Sequence, residues 1–350
     1  MKINLKTANR VTQILAEAGV FERLGELAAS LVKGRRAAIV TDSNVAPLYL
    51  EKAEQILASA GFTAGGIVVP AGEASKQPDK LLELWGEFNK LGITRHDVII
   101  ALGGGVVGDL AGFAAATYLR GCPIIQVPTS LLAMVDSSIG GKTGIDLPFG
   151  KNLAGAFHQP VAVITDSNML ETLPPNRYVE GMAEVIKYGC ISDAELFRGL
   201  ECGSVSAEDF VAQSIAIKAG FVERDEFDRG ERMLLNFGHT VGHAIEKKMG
   251  FGGISHGEAV AIGMVIAAKL GVKLGVTKES VPARLIATLE RYGLPTSTTY
   301  SATELSTAMC SDKKNLANKL HFVLLENIGK GVLYPIEPIT LISELSTILV

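Results

Sequence analysis

Three of the chain's six histidines fall within eighteen residues: His239, His243 and His256. His239 and His243 stand four apart in a helical period, which puts both imidazoles on one face, as helical zinc sites require. His256 lies in Ser255-His256-Gly257-Glu258, where a helix start can aim it back at the first pair. A catalytic divalent site needs one more hard ligand and an open position, and a carboxylate is the usual completion. Spacing leaves Glu184, Glu246 and Glu258 all open for that place. Without a metal, the same histidines are ordinary helix-surface or interfacial residues. The isolated His96, His158 and His321 read as surface or loop residues.

A second chemistry-bearing segment is Gly103-Gly104-Gly105-Val106-Val107-Gly108. It satisfies G-x-G-x-x-G, follows a strand-like run and opens a small-residue helix near Asp109. Backbone without Cβ atoms lets a pyrophosphate approach amide N–H groups at a positive helix end. The loop follows the third expected strand instead of the first, and no acidic residue stands about 20 positions later for a ribose. Asp42, at the end of the first expected strand, is the better candidate. The alternative is a tight strand-to-helix turn with no ligand.

Ile139-Gly140-Gly141-Lys142-Thr143 ends like a nucleotide-binding P-loop, but Asp136 occupies the place of that motif's first glycine, and a carboxylate there would repel phosphate. What remains, from Asp136 to Asn152, reads as a glycine-rich loop carrying Lys142 and Lys151, either solvated or edging a cleft for an anionic substrate. Arg120, Lys142, Lys151, Lys187, Lys218, Arg232 and Lys313 lie next to the glycine-rich or histidine-rich segments. Glu184 and Lys187 are three apart on one helical face: either an ion pair worth a few tenths of a kcal/mol, or a metal ligand beside a substrate cation. A small substrate bearing phosphate and carboxylate would account for these cations.

The elements that must position these residues are legible in outline. At 350 residues the chain is long enough for two domains. Ala37–Thr41, Gly66–Val69, Val98–Leu102, Ile124–Val127 and Val161–Thr165 read as buried parallel strands. Tyr49–Ala60 and Asp79–Leu91 have helical spacing between them, which predicts an α/β, Rossmann-like domain over residues 1–170. Beyond Leu173-Pro174-Pro175, amphipathic periods over 178–188, 207–222, 231–249, 257–274 and 281–292 predict a helical domain over 171–350. A terminal hairpin is expected from His321–Leu325 and Gly331–Tyr334.

With 33 basic and 37 acidic residues, the net charge of −4 speaks against a nucleic-acid or anionic-membrane binder. Cys122, Cys190, Cys202 and Cys310 form no C-x-x-C, which argues against a disulfide framework or thiolate zinc site and fits a reducing cytoplasm. The first ten residues carry Lys2, Lys6 and Arg10 and lack the apolar stretch of a secretory signal. The uncharged run Ala259–Ala268 is too short for the ~20 residues of a membrane span. A cytoplasmic protein without a membrane partner is expected.

Taken together, Gly103–Phe113, Val127–Thr143, Ala183–Lys187, Leu235–His243 and Ser255–Glu258 closely resemble the 3-dehydroquinate synthases, enzymes of the shikimate pathway, and the likeness runs over nearly the whole chain. The resemblance implies an N-terminal NAD-binding α/β domain, a C-terminal helical metal-binding domain and an active site between them. It implies a divalent metal, zinc or cobalt, on Glu184, His239 and His256, leaving His243 as a substrate or acid/base residue. NAD would contact Asp42, Asn44, Glu73 to Lys76, Gly104, Gly105, Val106, Asp109, Thr129 and Ser130, with Lys142 and Lys151 serving cofactor and substrate. The substrate implied is 3-deoxy-D-arabino-heptulosonate 7-phosphate, held by Asp136, Lys142, Lys151, Asn152, Lys187, Lys218, Arg232, Asn236 and His243, with Arg120 arriving from the partner subunit of a homodimer. Lys313 or Lys314 would join them.

The reaction so implied oxidises the C5 hydroxyl with NAD, eliminates phosphate, returns the hydride, and closes the opened ring by an intramolecular aldol step. A metal-dependent polyol dehydrogenase resembling glycerol dehydrogenase would share the glycine loop and metal site but not need so many cations. A sedoheptulose 7-phosphate cyclase would lack a carboxylate to bind. A non-catalytic nucleotide-binding scaffold would not need intact ligands.

Overall fold

Runs of alanine, valine, isoleucine and leucine without polar alternation suit strands covered on both faces. The computed structural model of the chain describes residues 1–8, 10–250, 253–310 and 320–349. The chain divides into two units, Met1–Pro174 with Ala207–Phe227, and Pro175–Ser206 with Asp228–Val350.

The first unit contains β1 (Lys2–Lys6), β2 (Val11–Ala16), α1 (Leu24–Leu31), β3 (Arg36–Asp42), α2 (Ala46–Ser59), β4 (Thr63–Val69), α3 (Pro78–Lys90), β5 (Val98–Gly103), α4 (Gly105–Thr117) and β6 (Ile124–Pro128). β7 (Lys142–Leu147) and β8 (Gly150–Phe157) form a separate antiparallel hairpin, and β9 (Ala162–Thr165) completes a seven-stranded sheet of order β1-β2-β9-β6-β5-β3-β4. Only β1 and β2 pair antiparallel within that sheet. β5, β6 and β9 are buried at every residue, so their sequences show no alternation. Leu81, Leu84 and Phe88 of α3 pack with Val107, Leu110 and Ala114 of α4 over Ile99 and Ala101. Each large aliphatic or aromatic side chain so buried contributes about 1.5–3 kcal/mol.

β3 has β4 on one side and β5 on the other, so the winding reverses between β3 and β5. Their carboxyl ends, Asp42 and Gly103, therefore open side by side at a topological switch point, where ligands of such sheets bind.

The second unit holds α5 (Pro175–Ile191) and α6 (Ala194–Cys202). After α7 (Ala207–Arg224), which belongs to the first unit, come α8 (His239–Met249), α9 (His256–Lys273), α10 (Val281–Arg291) and α11 (Ala302–Cys310). The hairpin β10 (Leu320–Asn327) with β11 (Lys330–Ile336) and α12 (Pro338–Ser346) follow. α9 is buried at every residue from Ala259 to Ala268, the pattern of a helix surrounded by others. Among the described residues no helix is long and apolar enough to cross a membrane.

Three local outcomes differ from the sequence reading. The units part at Pro174/Pro175, and α7 lies with the first because the Lys6 and Ala8 N–H groups donate to Glu223 and Glu226, at 2.8 and 3.1 Å. The stretch from Asp136 to Asn152 is a π-helical turn (Ala133–Ser137) and the β7–β8 hairpin, not a loop. Its glycines allow close strand pairing: a Cβ on Gly155 would lie 2.2 Å from the Thr143 carbonyl oxygen. The period over 231–249 is broken by Gly238 at φ 82°, which ends a 3-10 turn (Glu231–Asn236) and starts α8 afresh.

Candidate functional site

Glu184, His239 and His256 come from three different helices and meet. Glycines let those helices approach. A Cβ on Gly257 of α9 would stand 2.1 Å from the Glu180 carbonyl oxygen of α5, and one on Gly263 would stand 2.0 Å from the Gly238 carbonyl oxygen at the start of α8. His256 opens α9 through a complete capping box: the Ser255 hydroxyl accepts from Glu258 N–H at 3.3 Å, and Glu258 Oε2 accepts from Ser255 N–H at 2.9 Å. Glu258 is thereby a cap, which removes it from the ligand candidates.

Glu184 is fully buried. Its Oε1 lies 3.4 Å from His239 Nε2 and 3.7 Å from His256 Nε2. Ligand atoms held tetrahedrally at about 2.0–2.2 Å from one zinc lie roughly 3.3–3.6 Å apart, so the spacing suits one small cation. One carboxylate oxygen and two imidazole nitrogens are a donor set for zinc or cobalt with a position left for substrate. Burial pushes the His239 imidazole down to about 3, against the attraction of Glu184. At His256 burial acts in the same direction, but hydrogen bonding and charge from Glu184 and Glu246 outweigh it and raise the imidazole to about 10.

Lys187, buried one turn along α5, pairs with Glu184 Oε2 and lies 5.0 Å from the centre of the Tyr188 ring. Arg232 is buried in the turn before α8, with Asn236 exposed at its end. His243 is exposed on α8, its ring centre 5.5 Å from that of His239 and 6.0 Å from that of His256. The second unit thus gathers the three metal-ligand candidates together with His243. Of Lys313 and Lys314, both lie outside the described residues.

In the first unit the glycine turn joins β5 to α4 at the switch point. A Cβ on Gly103 would strike Val107 at 2.7 Å, whereas on Gly104 the nearest atom is Ser130 Oγ at 3.4 Å. Gly103 is therefore needed for packing, and on Gly105 a Cβ would come 3.1 Å from Ser137 Oγ, so the turn stays close to its neighbours. Gly104 caps α4, whose first N–H groups have no partner within the helix and suit an anion. Thr129 N–H donates to the Gly103 carbonyl at 3.0 Å, which sets Thr129 and Ser130 beside the turn. Asp42 Oδ1 accepts from Asn44 N–H at 2.8 Å and Val45 N–H at 3.1 Å.

Lys76 is buried and donates to Asp109 Oδ2 at 2.8 Å and to Asn152 Oδ1, with Glu73 Oε1 3.7 Å away. Burial disfavours the charged form of its amino group, but Asp109 and Glu73 more than compensate and raise its pKa. The Asp109 and Glu73 carboxyls are raised by burial, against the pull of the same lysine. Asp146, which sequence reasoning passed over, ties the hairpin to this cluster. Its N–H donates to the Lys76 carbonyl at 2.7 Å and its Oδ1 accepts from Asn152 N–H at 2.7 Å. The one sequence signal for it was an acid inside the glycine-rich stretch. Lys142 and Lys151 are exposed on β7 and β8. Lys218 Nζ of α7 donates to Asp136 Oδ1 at 2.6 Å. Arg120 is exposed at φ 68°, beside Leu119 at φ 51°, in a strained turn after α4.

A doubly wound unit with a glycine turn at its switch point, and a helical unit with a carboxylate–dihistidine cluster, define a class: an enzyme on a Rossmann-like α/β plus all-α frame. Residues 66–180 match the family model described as 3-dehydroquinate synthase N-terminal, and residues 181–315 the one described as 3-dehydroquinate synthase C-terminal. A 3-dehydroquinate synthase of Nitrobacter winogradskyi is 46% identical over 348 residues, covering 94% of this chain and 91% of that protein. The chain belongs to the 3-dehydroquinate synthase family. Among solved structures, 2-deoxy-scyllo-inosose synthase complexed with carbaglucose-6-phosphate, NAD+ and Co2+ is 25% identical, with a TM-score of 0.87 over 99% of each chain. The 2-epi-5-epi-valiolone synthase of Streptomyces hygroscopicus, with NAD+ and Zn2+ bound, is 26% identical, with a TM-score of 0.87 over 99% of this chain and 98% of that one.

Proposed function

We propose that the chain converts 3-deoxy-D-arabino-heptulosonate 7-phosphate to 3-dehydroquinate and inorganic phosphate, using NAD and one divalent cation, zinc or cobalt. The observation that carries this reading is the spacing of Glu184, His239 and His256, whose donor atoms lie within 4.8 Å of one another. The NAD+ and metal in two solved relatives support the cofactor assignment. When bound, NAD supplies a hydride acceptor that becomes the donor later in the same turnover, and the cation supplies Lewis acidity at the sugar's oxygens.

The chain's own residues bind, orient and move protons. Lys187 and Arg232, both buried, meet the anionic groups through charge-assisted hydrogen bonds, with Asn236 as a neutral partner. His243 exchanges a proton with a substrate hydroxyl, since an imidazole can both donate and accept one. In the first unit Lys142, Lys151 and Asn152 of the hairpin hold the phosphate and cofactor side, and Asp136 holds the Lys218 ammonium in place. Gly104, Gly105 and Val106 receive the pyrophosphate at the start of α4, and Asp42 the ribose hydroxyls. Asn44, Glu73, Lys76, Asp109, Thr129 and Ser130 border the same cofactor. Arg120 completes the site of a partner subunit in a cytoplasmic homodimer. Ring closure then needs chiefly a held conformation.

The test supplies the heptulosonate phosphate, NAD and zinc, and follows inorganic phosphate and NADH absorbance together. Phosphate without net NADH is expected. Net NADH without phosphate would make the protein a plain dehydrogenase.

A further inference from the structure

An imidazole presents one nitrogen reliably to a cation only when its other nitrogen carries a proton held by an acceptor. His239 has such an acceptor in the backbone: its Nδ1 lies 3.2 Å from the Phe237 carbonyl oxygen, which leaves Nε2 toward Glu184. His256 has none in the backbone among the hydrogen bonds of the described residues. Its Nε2 faces Glu184 Oε1 at 3.7 Å, and its Nδ1, on the other side of the ring, faces Glu246 Oε2 at 3.5 Å. The capping box fixes the main chain of His256, and Gly257 seats it against α5, but neither fixes the rotation of the ring.

We propose that Glu246 is a positioning residue that accepts the Nδ1–H of His256 and thereby aims its Nε2 at the cation. The inference rests on the reading of Glu184, His239 and His256 as the cation's ligands. Glu246 follows His239 by two helical turns on α8, so it shares that residue's face, and its side chain is only 18% exposed. The 3.5 Å separation is a few tenths of an ångström from hydrogen-bond length, within the range of a small ring rotation. The rival role is direct ligation, because His243, Glu246 and His256 also offer donors within 4.8 Å of one another. Positioning is favoured because the Nε2 atoms of both His239 and His256 converge on Glu184, whose carboxylate is fully buried. A cation on the Glu246 side would instead draw on the exposed His243.

The experiment loads the full-length apoprotein with cobalt(II). It records the visible d–d absorption, and measures zinc affinity by chelator competition, for wild type, Glu246→Leu and Glu246→Gln. Both substitutions keep side-chain volume and helix propensity, and melting curves check the fold. Glu246→Leu, with no acceptor, should bind zinc ten- to a hundredfold more weakly, with the cobalt band positions unchanged. Glu246→Gln, whose amide oxygen still accepts Nδ1–H, should recover most of that loss. Zinc affinity of Glu246→Leu within twofold of wild type would overturn the proposal, as would altered cobalt bands in Glu246→Gln, which would make Glu246 a ligand. Glu184→Gln serves as control. Retention of full zinc affinity there, or no cobalt bound by wild type, would overturn the ligand reading itself.

Discussion

Replacing Gly263 by alanine puts a methyl group where α9 touches the start of α8. The new Cβ would lie 2.0 Å from the Gly238 carbonyl oxygen, 2.9 Å from its carbon and 3.0 Å from Gly242 N. Ordinary contact begins at 3.4 Å, so the helices must part by 1.4 Å along the worst contact, taken as 3.4 less 2.0. All three neighbours are backbone atoms, so no side chain can swing aside. Overpacking of this kind costs toward the upper end of ~1–3 kcal/mol, offset by about 1 kcal/mol of helix propensity. A net loss of about 2 kcal/mol corresponds to a fall in Tm of roughly 4–8 °C. His239 directly follows Gly238, so the same displacement moves a metal ligand by far more than the ~0.2 Å such bonds tolerate, and zinc affinity should fall at least ~tenfold. Gly86→Ala is the control: this exposed glycine of α3 has nothing within 4 Å of its would-be Cβ. Alanine there should stabilise by about 0.5–1 kcal/mol. Calorimetry and chelator competition read both quantities. Gly263→Ala melting with wild type and binding zinc as tightly would refute the close-approach reasoning.

Glu184→Gln should keep the fold but lose zinc by more than ~100-fold, checked by metal analysis after gel filtration. Glu184→Ala should in addition cost about 3–5 kcal/mol, because it removes the acceptor that a glutamine amide oxygen would still offer the buried Lys187 ammonium. Lys142→Ala, on an exposed strand position, should leave Tm within about 1 °C of wild type while kcat/KM falls ~10–100-fold, the value of a lost charge-assisted hydrogen bond. At Asp97, burial is opposed and outweighed by hydrogen bonds from Thr94 and the Arg36 N–H, which hold the carboxyl below its usual range. Its stabilisation is complete above the unfolded value of about 3.9 and lost as pH falls through the folded one. Asp97→Asn should therefore be destabilised at neutral pH, with the gap to wild type closing below about pH 4 in denaturant titrations.

The inner strands could be read from the chain because β3, β5, β6 and β9 are apolar almost throughout, a pattern only burial on both faces explains. β1 could not: Lys2-Ile3-Asn4-Leu5-Lys6 alternates with charge as an edge strand does, and only Leu5 is buried. The hairpin of β7 and β8 was hidden because its glycines, which serve strand contact, look the same in sequence as those of a loop. Helical spacing singled out His239 and His243, but the two imidazoles that share Glu184 are His239 and His256, which stand on different helices and which only packing brings together. Spacing likewise could not decide between Glu184, Glu246 and Glu258, because each lies on a different element or turn. The return of α7 to the first unit depends on long-range contacts such as Lys218 with Asp136, which no local pattern announces.

The most direct measurement supplies NAD far below the concentration of the heptulosonate phosphate, with zinc-loaded protein, and runs the reaction to its end. If the hydride is returned within each turnover, phosphate release and carbocycle formation should both reach the full amount of substrate, with no lasting NADH absorbance. Phosphate that stops at the amount of NAD supplied, with NADH accumulating to match, would contradict it.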